Sequence, residues 1–260
     1  HPSTYFSRLT KELVLAVTAQ MADGYLYKID MRLRPSGSKG PVAVSFSSFS
    51  NYQASEAWTW EHLALVRSRV VYGSPVFSTK VERVILNAIK NSKNLSNVHS
   101  DVKVMRGKLF NNFKNENKKI RSFNFKGGKG MMQDLELLIH MGALVTHQKN
   151  GGNIFNLITK LTENGFLSKK EANILEEAWK IYYYSDFLSK YFNFSLLNKS
   201  YIQKESWLGL LNHKAFSFLL FSFLSRKHPN RTNSKFLEQE VLKLSKEVQA
   251  IFNRKLIGIN

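Results

Sequence analysis

The sequence predicts an α+β chain that is mostly helical: a β-hairpin with flanking helices, then a C-terminal helical bundle. Three observations predict it. Residues 25–34 read YLYKIDMRLR, and Val42, Val44 and Phe46 follow with the same period of two, the spacing of a strand. Beyond residue 76 apolar residues return every three or four positions, the spacing of packed helices. Hydrophobic residues make up 43% of the 260 and aromatics 13%, enough to fill a core. Gly73, Ser74 and Pro75 mark the change of period, so the expected division is a sheet-containing unit over 1–76 and a bundle over 77–260.

In chain order, residues 5–20 read as an amphipathic helix with Phe6, Leu9, Leu13, Ala16 and Val17 on one face. Asp23 and Gly24 end it. A strand follows whose faces differ: Tyr25, Tyr27, Ile29, Met31 and Leu33 on one, and Lys28, Asp30, Arg32 and Arg34, after Leu26, on the other. Residues 35–41, PSGSKGP, are a turn-rich connection to the second strand, which makes a hairpin with a long loop. Residues 48–66 return to helical period. Val81, Val84, Ile85, Ala88 and Ile89 form the next stripe, and Val102, Met105, Leu109 and Phe113 another. A polar loop over 114–130 precedes a buried helix with Met132, Leu135, Ile139 and Gly142. Ile154, Leu157, Ile158 and Leu161 come next. Ser168 and Glu171 have capping-box spacing ahead of Ile174, Leu175, Ala178 and Ile181. Leu237, Val241, Leu244, Val248 and Phe252 make the last helix.

Composition narrows the function classes. The chain has no cysteine, which excludes disulfides and zinc thiolate sites and fits a reducing, cytoplasmic setting. No apolar run is long enough for a membrane span, and the most apolar stretch, 215–224, is short and holds serines. The chain opens on His1 without a signal peptide, and is expected to be a fragment or a processed product. Net charge is +19. Such a balance has two readings: an anionic partner, or the Lys- and Asn-rich usage of an AT-rich genome, with basic residues spread widely and local clusters at Lys118, Lys119 and Arg121 and at Lys126 and Lys129.

Several constellations could carry chemistry. A row of Lys28, Asp30, Arg32 and Arg34 opposite an apolar face suits a metal-bound nucleoside triphosphate, Asp30 holding the cation; it also suits a plain solvated strand. Glu56, Trp58, Trp60, Glu61 and His62 fall within seven residues, and the tryptophans could equally anchor a helix on the sheet. Arg67 and Arg69 follow, as forks for phosphate oxygens or as basic surface. Residues 126–130, KGGKG, lead into a helix bearing Asp134 and Glu136, either an anion site through Lys126 and the glycines or simple dipole chemistry at Asp134. The spacing is not that of a Walker loop, and the seven histidines show no metal spacing.

The block over 25–71 closely resembles the glutamine synthetase adenylyltransferase family. The resemblance runs through Leu26 and Tyr27, DMRLRPSG over 30–37, Gly40, Ser45, Tyr52 and Gln53, EAWTWEH over 56–62, Ala64 to Arg67, and Arg69 to Val71. The segment KGGKGMMQDLE over 126–136 is similar too, although Asn124 stands where the family tends to have Asp and Met131 where it tends to have Gly.

The resemblance implies a partial nucleotidyltransferase-type mixed sheet followed by a helical bundle, in the C-terminal part of a bifunctional parent that attaches AMP to a tyrosine of glutamine synthetase and removes it by phosphorolysis. It implies ATP as substrate and Mg2+ as cofactor. Asp30 would be the catalytic and metal-binding carboxylate. Lys28, Arg32, Arg34, Arg67 and Arg69 would hold phosphate, with Glu56, Glu61, His62 and Lys126 in support. Glutamine synthetase and, through the parent, the nitrogen-regulatory PII protein are the implied partners; no membrane is, and nucleic acid is not the expected ligand. A paired Asp motif of this superfamily is expected upstream of residue 1, so the chain alone is expected to bind nucleotide weakly and transfer nothing. A uridylyltransferase-like enzyme acting on PII, or a basic nucleic-acid-binding module, are the alternatives.

Overall fold

A computed structural model describes residues 2–22, 24–92, 97–116, 122–123, 125–149, 152–191, 202–203 and 234–257. Asp23, Lys118, Lys119, Arg121, Asn124 and the apolar stretch 215–224, all singled out above, lie outside these residues.

The helices are α1 (Pro2–Thr18), α2 (Phe46–Ser55), α3 (Thr59–Leu65), α4 (Pro75–Lys90), α5 (Val98–Glu116), α6 (Met132–Val145), α7 (Ile154–Glu163), α8 (Lys169–Tyr191) and α9 (Ser234–Leu256). Two short strands, β1 (Ser122–Phe123) and β2 (Ile202–Gln203), pair antiparallel with Ser122 opposite Gln203.

Helix α6 is the axis of the core. Leu135, Leu138, Ile139, Met141, Ala143 and Leu144 are buried around its whole circumference, so it must be covered on every side. It packs against α3, α5, α7, α8 and α9. Helix α7 buries Ile154, Leu157, Ile158 and Leu161, the stripe its sequence spells out. Asn153 caps it, its Oδ1 accepting the Phe155 and Asn156 N–H groups at 3.1 and 3.3 Å. At the start of α8 the Ser168 N–H reaches Glu171 Oε2 at 2.7 Å and the Glu171 N–H reaches Ser168 Oγ at 3.2 Å, a complete capping box. Glu171 also takes Arg254 at 2.5 Å and Lys255 at 3.6 Å, which ties the start of α8 to the end of α9. Gly142 lets α6 approach the ring of Phe166, since a Cβ there would lie 2.4 Å from it.

The expected mixed sheet is not present. Residues 25–36 and 41–45 form no ladder, and among the described residues β structure amounts to the β1–β2 pair and one isolated bridge between Met21 and Gly24. Alternation gives a segment two faces, but a strand also needs a neighbour for its N–H and C=O groups. No described segment supplies one to 25–46. The corrected architecture is helical, with an irregular segment between α1 and α2. The apolar face of that segment is uncovered: Tyr25, Tyr27 and Leu33 are exposed. Helix α1 likewise buries none of its residues, and Phe6, Leu9 and Leu13 are open to solvent. The helical period over 48–66 is broken at residues 56–58 into α2 and α3, because the N–H groups of Glu56 and Ala57 both turn back to the Tyr52 carbonyl.

Candidate functional site

The segment between α1 and α2 is organised by its own charges. Asp30 accepts the Arg32 backbone N–H at 2.9 Å, the Arg32 Nε at 2.9 and 3.0 Å and its Nη2 at 2.6 Å. The hydrogen bond from the Arg32 side chain holds the Asp30 carboxyl down to about 2, well below its ordinary range. Both residues are exposed. Arg34 turns inward and donates to the carbonyls of Met31, Ser38 and Gly40, so its guanidinium clasps a ten-residue turn into shape. That turn is tight. Ser36 and Gly37 have φ of 60° and 56°, and a Cβ on Gly40 would lie 2.1 Å from the Pro35 carbonyl oxygen. Lys28 is exposed, its Nζ 5.6 Å from the centre of the Tyr25 ring.

Two clefts flank this turn. One, of about 990 Å3, lies between α1 and the start of α2 and is lined by Arg8, Lys11, Ser36, Ser45, Ser48 and Glu56, among others. The second, of about 330 Å3, brings Arg34, Glu61 and Arg67 together with Gln53 and Trp60. The structure thus gathers three of the expected site residues, Arg34, Glu61 and Arg67, in one cleft. It leaves Lys28, Asp30, Arg32 and Arg69 outside both clefts and places Glu56 in the larger one.

Glu61 and His62 are buried fastenings between helices. Glu61 accepts the Tyr52 hydroxyl at 2.8 Å and the Trp58 N–H at 2.9 Å. The His62 Nε2 lies 3.3 Å from the Gln53 carbonyl, which can only accept, so Nε2 carries the hydrogen and Nδ1 accepts from the Ser92 hydroxyl at 3.2 Å. Burial lowers the His62 pKa, consistent with a neutral ring. Gln53 is itself buried, and its Oε1 has no hydrogen-bond partner among the described residues.

The glycine segment 126–130 is also spoken for. Arg106 pairs with Asp134 and donates to the Gly127 and Gly128 carbonyls; Asp134 Oδ2 takes the Gly130 N–H at 2.6 Å; and the Tyr182 hydroxyl donates to the Gly130 carbonyl at 3.0 Å. Lys126 is exposed beside this knot and, with Arg67, lowers the pKa of Glu136 against the larger effect of burial, which raises it. Arg106 and Tyr182 went unnoticed in the sequence. The signal for Arg106 was one cation beside Val102, Met105 and Leu109 on an apolar stripe. Arg8 and Lys11 were passed over as well, although their spacing of three puts them on one face of α1.

The described residues do not fit a resident divalent metal ion. Asp30 is a single carboxylate engaged by a guanidinium, and no group of three or more His, Cys, Asp or Glu side chains converges among the described residues.

With this geometry in view, comparison with known proteins gives a match: residues 1–84 match the family described as glutamate–ammonia ligase adenylyltransferase. Over this stretch the chain is similar to that family. Among individual relatives, the bifunctional glutamine synthetase adenylyltransferase/adenylyl-removing enzyme of Bradyrhizobium diazoefficiens is 38% identical over 184 residues, 69% of this chain and 18% of the relative. The enzyme of the same name from Rhizobium meliloti is 39% identical over 144 residues, 55% of this chain and 14% of the relative. That of Pseudomonas syringae pv. tomato is 33% identical over 193 residues, 68% and 20%. The chain therefore spans about a fifth of the length of the relatives it matches. No helix among the described residues is long and apolar enough to cross a membrane.

Proposed function

We propose that this chain is part of a nucleotidyltransferase that moves AMP from ATP to a tyrosine of glutamine synthetase. The observation that carries the reading is the match over residues 1–84, which contains the Asp30 to Gly37 turn and the Glu56 to His62 segment at the α2–α3 junction. The geometry supports it through two clefts that meet at Pro35, one carrying Arg8 and Lys11, the other Arg34 and Arg67. In the transfer, the tyrosine oxygen attacks the α-phosphorus, the bond to the β-phosphate oxygen breaks, and pyrophosphate leaves. Asp30 is the proposed acceptor of the hydroxyl proton. A carboxyl held to about 2 is a weak base, so the Asp30–Arg32 pair must open for that step, which frees Arg32 for phosphate. The division into a 1–76 unit and a 77–260 bundle belongs to the same reading, as does control of the parent by the PII protein.

The test places this chain in the corresponding segment of the Bradyrhizobium relative and follows labelled AMP from ATP onto glutamine synthetase. Transfer by the chimaera, and its fall by about a hundredfold or more in Asp30→Asn, is the expected result. Unchanged transfer in that variant removes Asp30 from the chemistry; a folded chimaera that transfers nothing overturns the reading.

A further inference from the structure

The geometry points to Arg8 and Lys11 of α1, with the hydroxyls of Ser45 and Ser48, as a binding site for the phosphate chain of a nucleoside triphosphate in the 990 Å3 cleft. The reading of the segment over 28–34 leads to expect the phosphate-binding cations there. The structure instead shows that row folded onto itself. Arg32 is bound to Asp30, Arg34 to three backbone carbonyls, and Lys28 stands over a tyrosine ring outside the cleft. Arg8 and Lys11 differ. Both are exposed, and neither makes an ion pair or hydrogen bond to a described residue.

Hydroxyls lining the same cleft complement them. Ser45, Ser47 and Ser48 form a hydroxyl cluster, with Ser45 Oγ 3.0 Å from Ser47 Oγ and 2.8 Å from Ser48 Oγ. Ser36 and Asn51 add further donors on the same cleft. Two cations without a partner among the described residues, lining one cleft with several hydroxyls, are suited to a multiply charged anion. Glu56, Tyr52 and Asn51 lie along the same cleft. The carboxylate of Glu56 would repel a phosphate but accept sugar hydroxyls, which orients the nucleoside toward the C-terminal end of α2 and the phosphates toward its start and α1. This assignment rests on the nucleotidyl-transfer reading for its physiological ligand, but its test reads binding alone.

The experiment titrates the 260-residue chain with inorganic tripolyphosphate, ATP and AMP by calorimetry at physiological salt. Expected are one site per chain, comparable affinity for tripolyphosphate and ATP, and AMP weaker by about tenfold or more, since each lost charge-assisted contact weakens binding measurably. Arg8→Ala with Lys11→Ala should weaken tripolyphosphate and ATP by about tenfold to a hundredfold. The charge-matched pair Lys169→Ala with Lys170→Ala, exposed at the start of α8 and outside the cleft, should change neither by more than about twofold. Because α1 buries no residue, the Arg8 and Lys11 variants should keep the wild-type melting temperature, and Arg8→Lys should recover part of the affinity. Equal weakening by both pairs means a general field of a basic chain and overturns the site. So does no saturable binding, or AMP binding as tightly as ATP. None of these results touches the transfer assay above, which stands or falls separately.

Discussion

The guanidinium of Arg106 pairs with the carboxylate of Asp134, and both are buried at 8% and 3% exposure. The second oxygen of Asp134 holds the Gly130 N–H at 2.6 Å, and the free end of Arg106 holds the carbonyls of Gly127 and Gly128. One ion pair therefore fixes the turn before α6 to α5. Losing one member leaves the other charged and without its partner in the interior. Arg106→Ala and Asp134→Ala should each destabilise the chain by about 3–5 kcal/mol. Urea unfolding followed by circular dichroism checks this. The double substitution should cost less than the sum of the two, because the second removes a charge already stranded.

Gly130 makes a separate demand on the same turn. Its φ is +69°, and a Cβ would fall 1.8 Å from the Ser245 carbonyl oxygen of α9, a backbone atom that cannot rotate away. Gly130→Ala should cost more than about 2 kcal/mol, combining left-handed strain with displacement of α9. The shift should show first as faster amide exchange in α9, where Val241, Leu244 and Val248 lose their seat against the core.

The helices were legible where burial and period coincide. The stripe Ile154, Leu157, Ile158 and Leu161 is buried as read, and the Ser168–Glu171 box forms with both reciprocal bonds. The strand over 25–34 was misread because alternation records two faces and says nothing about a hydrogen-bonding neighbour. The site was legible in outline only. The resemblance, not spacing, grouped Arg34, Glu61 and Arg67 with Asp30; the 330 Å3 cleft is lined by those three and not by Asp30. Spacing alone is blind to more. It could not show that Arg34 is consumed by carbonyls three to six residues away, or that Glu61 and His62 face inward. Those facts depend on turns at Ser36 and at residues 56–58 that no periodicity encodes.

Arg34 should separate local order from global stability. Its three carbonyl bonds hold the turn over 31–40, which lies outside the core around α6. Arg34→Ala should raise protease cleavage within 35–41 by about tenfold while lowering global stability by less than about 1 kcal/mol. Arg34→Lys should resemble the alanine variant more than the wild type, because one ammonium cannot span three carbonyls fixed by a planar fork. Limited proteolysis with mass mapping reads the first effect and thermal unfolding the second.

His140 gives the fold a pH dependence with a defined sign. Burial, with the Arg67 charge adding to it, pushes its imidazolium down to about 4 from an ordinary value of 6.5. The folded ring stays neutral where the unfolded ring has begun to bind a proton. The contribution to stability is therefore fully present above about pH 6.5 and is lost as the pH falls toward about 4. Glu136, one turn earlier on α6, faces the same small cavity with Arg67 and Trp179. Its pKa is raised by burial, against the lowering pull of Arg67 and Lys126. A raised carboxyl favours the folded state as the pH falls, the opposite sense to His140, so a raw stability curve mixes the two. The difference between wild type and His140→Asn isolates the histidine. Chemical unfolding across this interval should show the wild type losing stability relative to the variant as the pH drops, by an amount on the order of 2–3 kcal/mol at the acid end. Parallel curves would mean that the ring titrates alike in both states and that burial at this junction leaves its proton affinity unchanged.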